Sequence, residues 1–196
     1  MIISPDTKRT QRIPPGQIQT LKWPVLDASG TPPIDMEKWR LDVFGLVNRE
    51  VSLTWEQFNA LPKVEVFSDF HCVTRWSRLD NTWTGVSVKT LIDLAGGVKP
   101  EAQFVSAHGY DYGWTTNLPL ADFMSEDALV ATHHDGEPLT PEHGGPARLV
   151  VPLLYAWKSA KWLGAIELLA EDRPGFWERN GYHNHGDPWK EERFGY

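Results

Sequence analysis

The sequence predicts an α+β fold built on a mixed or antiparallel sheet, and three observations lead there. Short strand-like apolar runs, such as residues 63–67 and 103–107, are interspersed with short amphipathic stretches. The long helical crossovers that a doubly wound parallel sheet requires are missing. With 196 residues, 41% of them apolar and ten of them tryptophan, the chain has enough material for one sizeable core and the size of a single domain, residues 1–196.

Residues 1–35 read as an extended arm, because Pro5, Pro14, Pro15, Pro24, Pro32 and Pro33 exclude long regular elements. Leu21, Trp23, Val25 and Leu26 are expected to hold that arm against the domain. A strand is predicted over 39–47, where aromatic and β-branched residues partly alternate. Thr54 with Gln57 three residues later is a capping box. The helix it opens carries Trp55, Phe58 and Leu61 on one face and stops at Pro62. Alternation at 63–67 predicts a second strand, which runs straight into FSDFHCVTRWSR at 67–78. Residues 80–85 should turn. Ser87 caps a helix with Val88, Leu91, Ile92 and Ala95 on its buried side, ended by Gly96 or Gly97.

Further on, a strand is predicted at 103–107, a loop at 108–117 and a short helix at 119–124. The strand at 128–133 leads into a hairpin turn at Asp135 and Gly136. The HGGP loop at 143–146 precedes a strand at 148–151, and 162–169 reads as another. Residues 171–196 carry Trp177, Tyr182, Trp189, Phe194 and Tyr196 among many charges, which predicts an ordered tail wrapping back.

A net charge of −7 without a basic stripe speaks against a nucleic-acid partner. One cysteine cannot make an intrachain disulfide, and no apolar run reaches the roughly 20 residues that span a bilayer. The reading is a cytoplasmic protein with no membrane segment.

Cys72 is the centre of the candidate chemistry. A lone cysteine can be simply a small buried hydrophobe. Here His71, Arg75 and Arg78 supply local positive charge, which favours the thiolate. A thiolate can attack a carbonyl or ligate a soft metal, so a cysteine-dependent hydrolase and a metal site both stand open. In WKSAKW, Lys158 and Lys161 are three apart, and in a helical turn both ammonium groups would share a side. With Arg148 and the HGGP backbone they could cradle a phosphate. His183 and His185 could face one way from an extended segment or simply pack among aromatic rings. Trp39 and Trp55 read as core. Trp76, Trp83 and Trp114 sit in polar, loop-like contexts, which suits a planar ligand and equally a non-catalytic binding module.

Several segments together resemble the sulfite oxidase superfamily of molybdopterin-dependent oxidoreductases. They are FHCVTRWSRLDNTWTGV at 70–86, HGYDYGWTTNLPLADF at 108–123, HHDGEPLTPEHGGPARLVVP at 133–152, WKSAKWLGAIEL at 157–168 and GYHNHGDPWKEERF at 181–194. The likeness covers most of residues 40–194 and is greatest to small stand-alone prokaryotic members that lack haem and dimerisation domains.

The resemblance implies the sulfite oxidase-type molybdopterin-binding fold and a mononuclear molybdenum centre ligated by the Cys72 thiolate. It implies that His71, Thr74 and Arg75 contact the pterin or line the substrate entrance, with Arg75 also catalytic, and that His108 contacts the pterin. Tyr112 would point at the metal's oxygen ligand as a hydrogen-bond donor. His143, Arg148, Ser159 and Lys161, with Lys158 beside them, would anchor the single phosphate of the mononucleotide-free cofactor. The activity implied is two-electron oxygen-atom transfer on a small substrate. The cysteine loop, with Trp76 beyond Arg75, departs from the arginine-rich surroundings of true sulfite oxidases and points away from sulfite. No haem-attachment motif is present, so electrons are expected to pass to a separate partner.

Overall fold

A computed structural model describes residues 1–195. Tyr196, counted above among the tail's aromatic anchors, lies outside the described residues. In chain order the elements are β1 (Ile2–Ile3), β2 (Ile18–Gln19), β3 (Arg40–Gly45), β4 (Val51–Thr54), α1 (Trp55–Asn59), β5 (Val64–His71), β6 (Trp76–Ser87) and α2 (Val88–Leu94). They continue with β7 (Phe104–Gly109), β8 (Thr115–Pro119), α3 (Leu120–Phe123), β9 (Leu129–His134), β10 (Glu137–Pro138), β11 (Arg148–Val150), β12 (Leu163–Leu169) and α4 (Phe176–Arg179).

The strands form two sheets. One runs β1-β5-β6-β9-β10, with β2 added to β6 and β11 to β9; the other runs β4-β3-β12-β7-β8. Most pairings are antiparallel, while β1 on β5, β2 on β6 and β12 on β3 are parallel. The architecture is therefore α+β with mixed, mostly antiparallel sheets and short helices, as the sequence predicts. One apolar cluster joins the sheets: Leu41 and Val43 of β3, Val105 of β7 and Ile166 of β12 pack with Val86 of β6 and Val130 of β9. Fully burying such side chains stabilises the fold by roughly 1.5–3 kcal/mol each.

Local signals fix the helices as expected. Thr54 and Gln57 make both hydrogen bonds of the capping box. Ser87 accepts from the Lys89 amide, and Gly96 and Gly97 follow α2 with φ of 72° and 86°.

Other expectations are corrected. Residues 80–85 do not turn; they lie within the twelve-residue β6. The polar pair that suggested a turn is absorbed by an irregularity in the β5–β6 ladder. Asp80 takes φ 60° and gives its amide to the Asp69 carboxylate at 3.1 Å, while Asn81 donates to the carbonyls of Ser68 and Arg78. Trp83 is accordingly a core residue, fully buried, with its indole N–H on Ser68 Oγ. Close approach of β9 to β6 requires Gly85, where a Cβ would run into the Val130 carbonyl. The loop expected at 108–117 is shorter, because Thr115–Pro119 pairs with β7. Leu21, Val25 and Leu26 remain exposed. Of that patch only Trp23 seats the arm, its ring against Trp83, His134 and His143.

Candidate functional site

The β5–β6 hairpin places Cys72. His71 pairs with Ser77, the Cys72 amide donates to Trp76 O at 2.9 Å, and the Arg75 amide donates to Cys72 O at 3.0 Å. Arg75 closes this tight turn in the left-handed region, φ 74°. The sulfur projects into an aromatic cluster with Val73, Tyr155 and Trp157, against which Trp76, Trp177 and Tyr182 pack. Its hydrogen-bond partner is the Thr74 hydroxyl, at 3.1 Å. Burial pushes the thiol above its ordinary pKa, against the opposing pull of the Thr74 hydroxyl and the charge of Arg193.

A cavity of about 200 Å³ opens from this sulfur. Its walls include Cys72, Thr74, Trp76, Trp114, Trp177 and Tyr182, and also His143, Arg148, Ser159 and Lys161. The second group comes from the HGGP loop, β11 and the segment leading into β12. Arg148 is buried and donates to His143 O and Ser159 O, both at 2.9 Å, while its Nε has no partner. With that burial uncompensated, its pKa falls to about 9. Lys161 donates to Glu142 O at 3.0 Å, and burial with the nearby Arg148 charge brings its pKa down to about 8. The backbone of Gly144 lies directly on Lys161: a Cβ there would sit 2.9 Å from Lys161 Cβ, and φ is 102°. Only glycine allows that loop to close on the lysine.

Six of the sequence-derived site residues thus share one cavity: Cys72, Thr74, His143, Arg148, Ser159 and Lys161. Five lie elsewhere. His71 is buried behind the hairpin with Nδ1 at 2.8 Å from Ser77 Oγ. Arg75 is exposed, its guanidinium alongside Gly16. His108 pairs with Glu167 at 2.9 Å on the second sheet. Tyr112 is 77% exposed at the tip of the β7–β8 connection. Lys158 does not share a side with Lys161. The 3-10 turn at Ala156–Lys158 ends at Ser159, so helical spacing does not persist, and the Lys158 ammonium points into a buried ion pair with Glu178 at 2.7 Å.

The structure adds residues that local patterns did not single out. Tyr182, not Tyr112, is the tyrosine that lines the cavity, and the neighbouring Cys72 contributes to the upward shift of its phenol, after burial. Trp177 arrives with it, stacked at 4.8 Å. The arm supplies Trp23, stacked on His143 at 3.8 Å, and Asp27, 3.8 Å from Lys161. Asp111 lines the wall with Oδ1 unpartnered, and burial raises its pKa to about 6. Tyr182 and Trp177 were visible only as tail aromatics. Their position depends on where the tail returns, which no local spacing encodes.

Residues 28–177 match the family model described as the oxidoreductase molybdopterin binding domain. Over 184 residues the chain is 54% identical to the oxidoreductase YuiH of Bacillus subtilis, covering 93% of this chain and 92% of that protein. It is 31% identical to the protein-methionine-sulfoxide reductase catalytic subunit MsrP of Campylobacter jejuni, covering 72% of this chain and 52% of that protein. Among solved structures it is similar to the sulfane dehydrogenase SoxCD of Paracoccus pantotrophus, with a TM-score of 0.66 and 26% identity over 72% of this chain and 41% of that one. The chain belongs to the molybdopterin-binding oxidoreductase family, related to sulfite oxidases and MsrP, and its fold is of the sulfite oxidase type.

The cavity residues fit such a cofactor. A single soft sulfur faces it, and a buried cation with an orphaned Nε, a second cation and a glycine-backed loop provide for an anionic group. Among the described residues no group of three or more His, Cys, Asp or Glu side chains could hold a metal ion.

Proposed function

We propose that this chain is a molybdenum enzyme performing two-electron oxygen-atom transfer, with a neutral S-oxide as its first candidate substrate. The observation that carries the proposal is the shared cavity: the Cys72 sulfur and the Arg148–Lys161 cation pair, with the His143 imidazole beside it, open into one space. In this reading Cys72 ligates the metal. His143, Arg148, Ser159 and Lys161 hold the single phosphate of a mononucleotide-free molybdopterin. When bound, that cofactor would supply the two-electron couple for oxygen-atom transfer.

The chain's own residues set the rest. Thr74 hydrogen-bonds the sulfur, fixing its direction. Trp76, Trp114 and Trp177 make the walls apolar and keep bulk water from a small substrate. Tyr182 offers a phenol as donor to the substrate oxygen. Arg148 is the arginine in the walls, and Arg75 faces out, so a dianion such as sulfite meets no arginine cluster. A neutral sulfoxide needs only one donor and an apolar seat. In the reducing direction the sulfoxide S–O bond breaks, two electrons delivered by a separate redox partner protein reduce the sulfur, and two protons from solvent complete the water. The name of the MsrP relative is consistent with that class. A hydrolase reading lacks its base, because the side-chain partner of Cys72 is Thr74 and not a histidine. A separate electron partner and a cytoplasmic setting belong to the same proposal; no helix of the described chain is long and apolar enough to cross a membrane.

The test is elemental analysis of protein from a molybdopterin-competent host, followed by a reversible-dye assay on S-oxides, N-oxides and sulfite. About one molybdenum per chain, lost in Cys72→Ser, together with faster turnover of S-oxides than of sulfite, is expected. Metal-free wild-type protein from a host verified to make the cofactor rejects the proposal.

A further inference from the structure

The Cys72 turn is held from behind by the two ends of the chain. Gln17, from the arm, donates through Nε2 to Cys72 O at 3.1 Å, Trp76 O at 2.8 Å and Ser77 Oγ at 3.1 Å. Arg193, from the tail, donates through Nη1 to Val73 O at 2.9 Å. The two residues meet each other, with Arg193 Nη2 on Gln17 Oε1 at 2.7 Å and on Pro15 O at 3.1 Å. Around this centre the arm and tail touch again. Trp189 Nε1 donates to Asp6 at 2.7 Å, and Arg9 lies 3.9 Å over the Trp189 ring.

We propose that Gln17 and Arg193 form a positioning clamp that fixes the backbone of the Cys72 turn and so aims its sulfur into the cavity.

Two features of Arg193 set it apart from a surface arginine. It is 4% exposed, and its carboxylate partner, Glu191, stands 3.7 Å away and is itself half-exposed. A cation in that setting carries a desolvation cost that a rim carboxylate does not offset. Its guanidinium fork provides what a compensating apolar residue cannot, namely donors in fixed directions to one turn carbonyl and to the partner glutamine. Without the clamp, the carbonyls of Cys72 and Val73 would face a buried gap without those donors, and a five-residue turn with φ 74° at Arg75 would relax. Neither residue touches the sulfur, so each acts through the backbone.

The inference rests on Cys72 being the metal ligand, and its test separates the two claims. Molybdenum content of the wild-type protein is measured first and judges the proposed function alone. The clamp is judged on cofactor-free protein by the rate at which a bulky maleimide captures Cys72, the sole cysteine. Loss of the clamp opens the turn, so capture should accelerate about tenfold in Arg193→Met and several-fold in Gln17→Ala, with partial return towards wild type in Arg193→Lys. A role for Arg193 through its charge alone would slow capture, which is the opposite sign. If Arg193→Met does not fold, Gln17→Ala decides. In metal-loaded protein the Mo(V) electron paramagnetic resonance line shape, which reports the direction of the cysteine sulfur, should change in Gln17→Ala. Capture within twofold of wild type in folded variants, or slower capture, overturns the clamp.

Discussion

Lys158 Nζ lies 2.7 Å from Glu178 Oε1, and neither side chain is reached by solvent. The ammonium also donates to the carbonyls of Asn117 and Asn184, and Glu178 accepts from Thr116 and from the indole of Trp157. The pair therefore welds β8, the tail and the cavity wall into one unit. Removing one member leaves the other charged and buried. Glu178→Ala should lower stability by about 3–5 kcal/mol, while the paired replacement Lys158→Met with Glu178→Leu should cost less than that single change. Denaturant midpoints of the single and double variants measure it; a Glu178→Ala loss below about 1 kcal/mol would contradict the arrangement.

Tyr182 and Tyr112 compete for one role, and their exposure separates them. If the phenol in the wall donates to the substrate oxygen, Tyr182→Phe should reduce kcat about 100-fold with little change in KM, and Tyr112→Phe should behave as wild type. The reverse pattern in steady-state kinetics would return the role to Tyr112.

His134 lies between the rings of Trp23 and Trp83, with Nε2 near Arg78 and Asn81. Burial lowers its pKa to about 4, so between that value and the ordinary 6.5 the unfolded chain binds more protons than the folded one. Stability then rises with pH, and from this group it falls by about 3 kcal/mol as pH drops through the window. His185 contributes the opposite slope, since its hydrogen bond to Asp122 raises its pKa. Comparing His134→Gln with wild type in urea at pH 7 and pH 4.5 isolates the His134 term, and the variant should lose less stability on acidification.

Asp111 shows the reverse linkage. Its raised pKa, about 6, means that the folded protein keeps a proton the unfolded chain has released above about 3.8, so stability from this group declines as pH rises through that interval. Asp111→Asn should stabilise the cofactor-free protein at pH 7.5 by about 2 kcal/mol. Thermal unfolding at pH 7.5 and pH 4 tests it: a gain at the higher pH and little at the lower.

Arg148→Met gives effects of unlike size on fold and site. It removes a buried, uncompensated cation and also two hydrogen bonds to carbonyls, so the net change in cofactor-free stability should stay within about 1–2 kcal/mol. Cofactor retention after gel filtration, read as molybdenum per chain, should fall at least tenfold if the guanidinium holds the phosphate. Equal retention would remove Arg148 from that role.

Local chemistry was legible wherever neighbouring residues set the outcome. The Thr54–Gln57 box, the Ser87 cap and the alternation in β5 needed only their own windows of sequence. The 80–85 segment misled because Asp80 and Asn81 carry turn chemistry, and their partners Asp69 and Ser68 sit across a ladder that no window includes. The same limit explains Lys158. Its spacing from Lys161 describes a helix, and Glu178, twenty residues on, decides where its charge goes.

The sequence by itself determined the fold class, most of its strands and helices, the family likeness and the sulfur on which the proposed chemistry centres, because these depend on short-range pattern and residue type. Tertiary structure alone decided which tyrosine faces Cys72, which lysine reaches the cavity and that Gln17 and Arg193 meet behind the turn. Those are contacts between segments far apart in the chain, and their free energy comes from burial and hydrogen bonds that exist only after both sheets have packed.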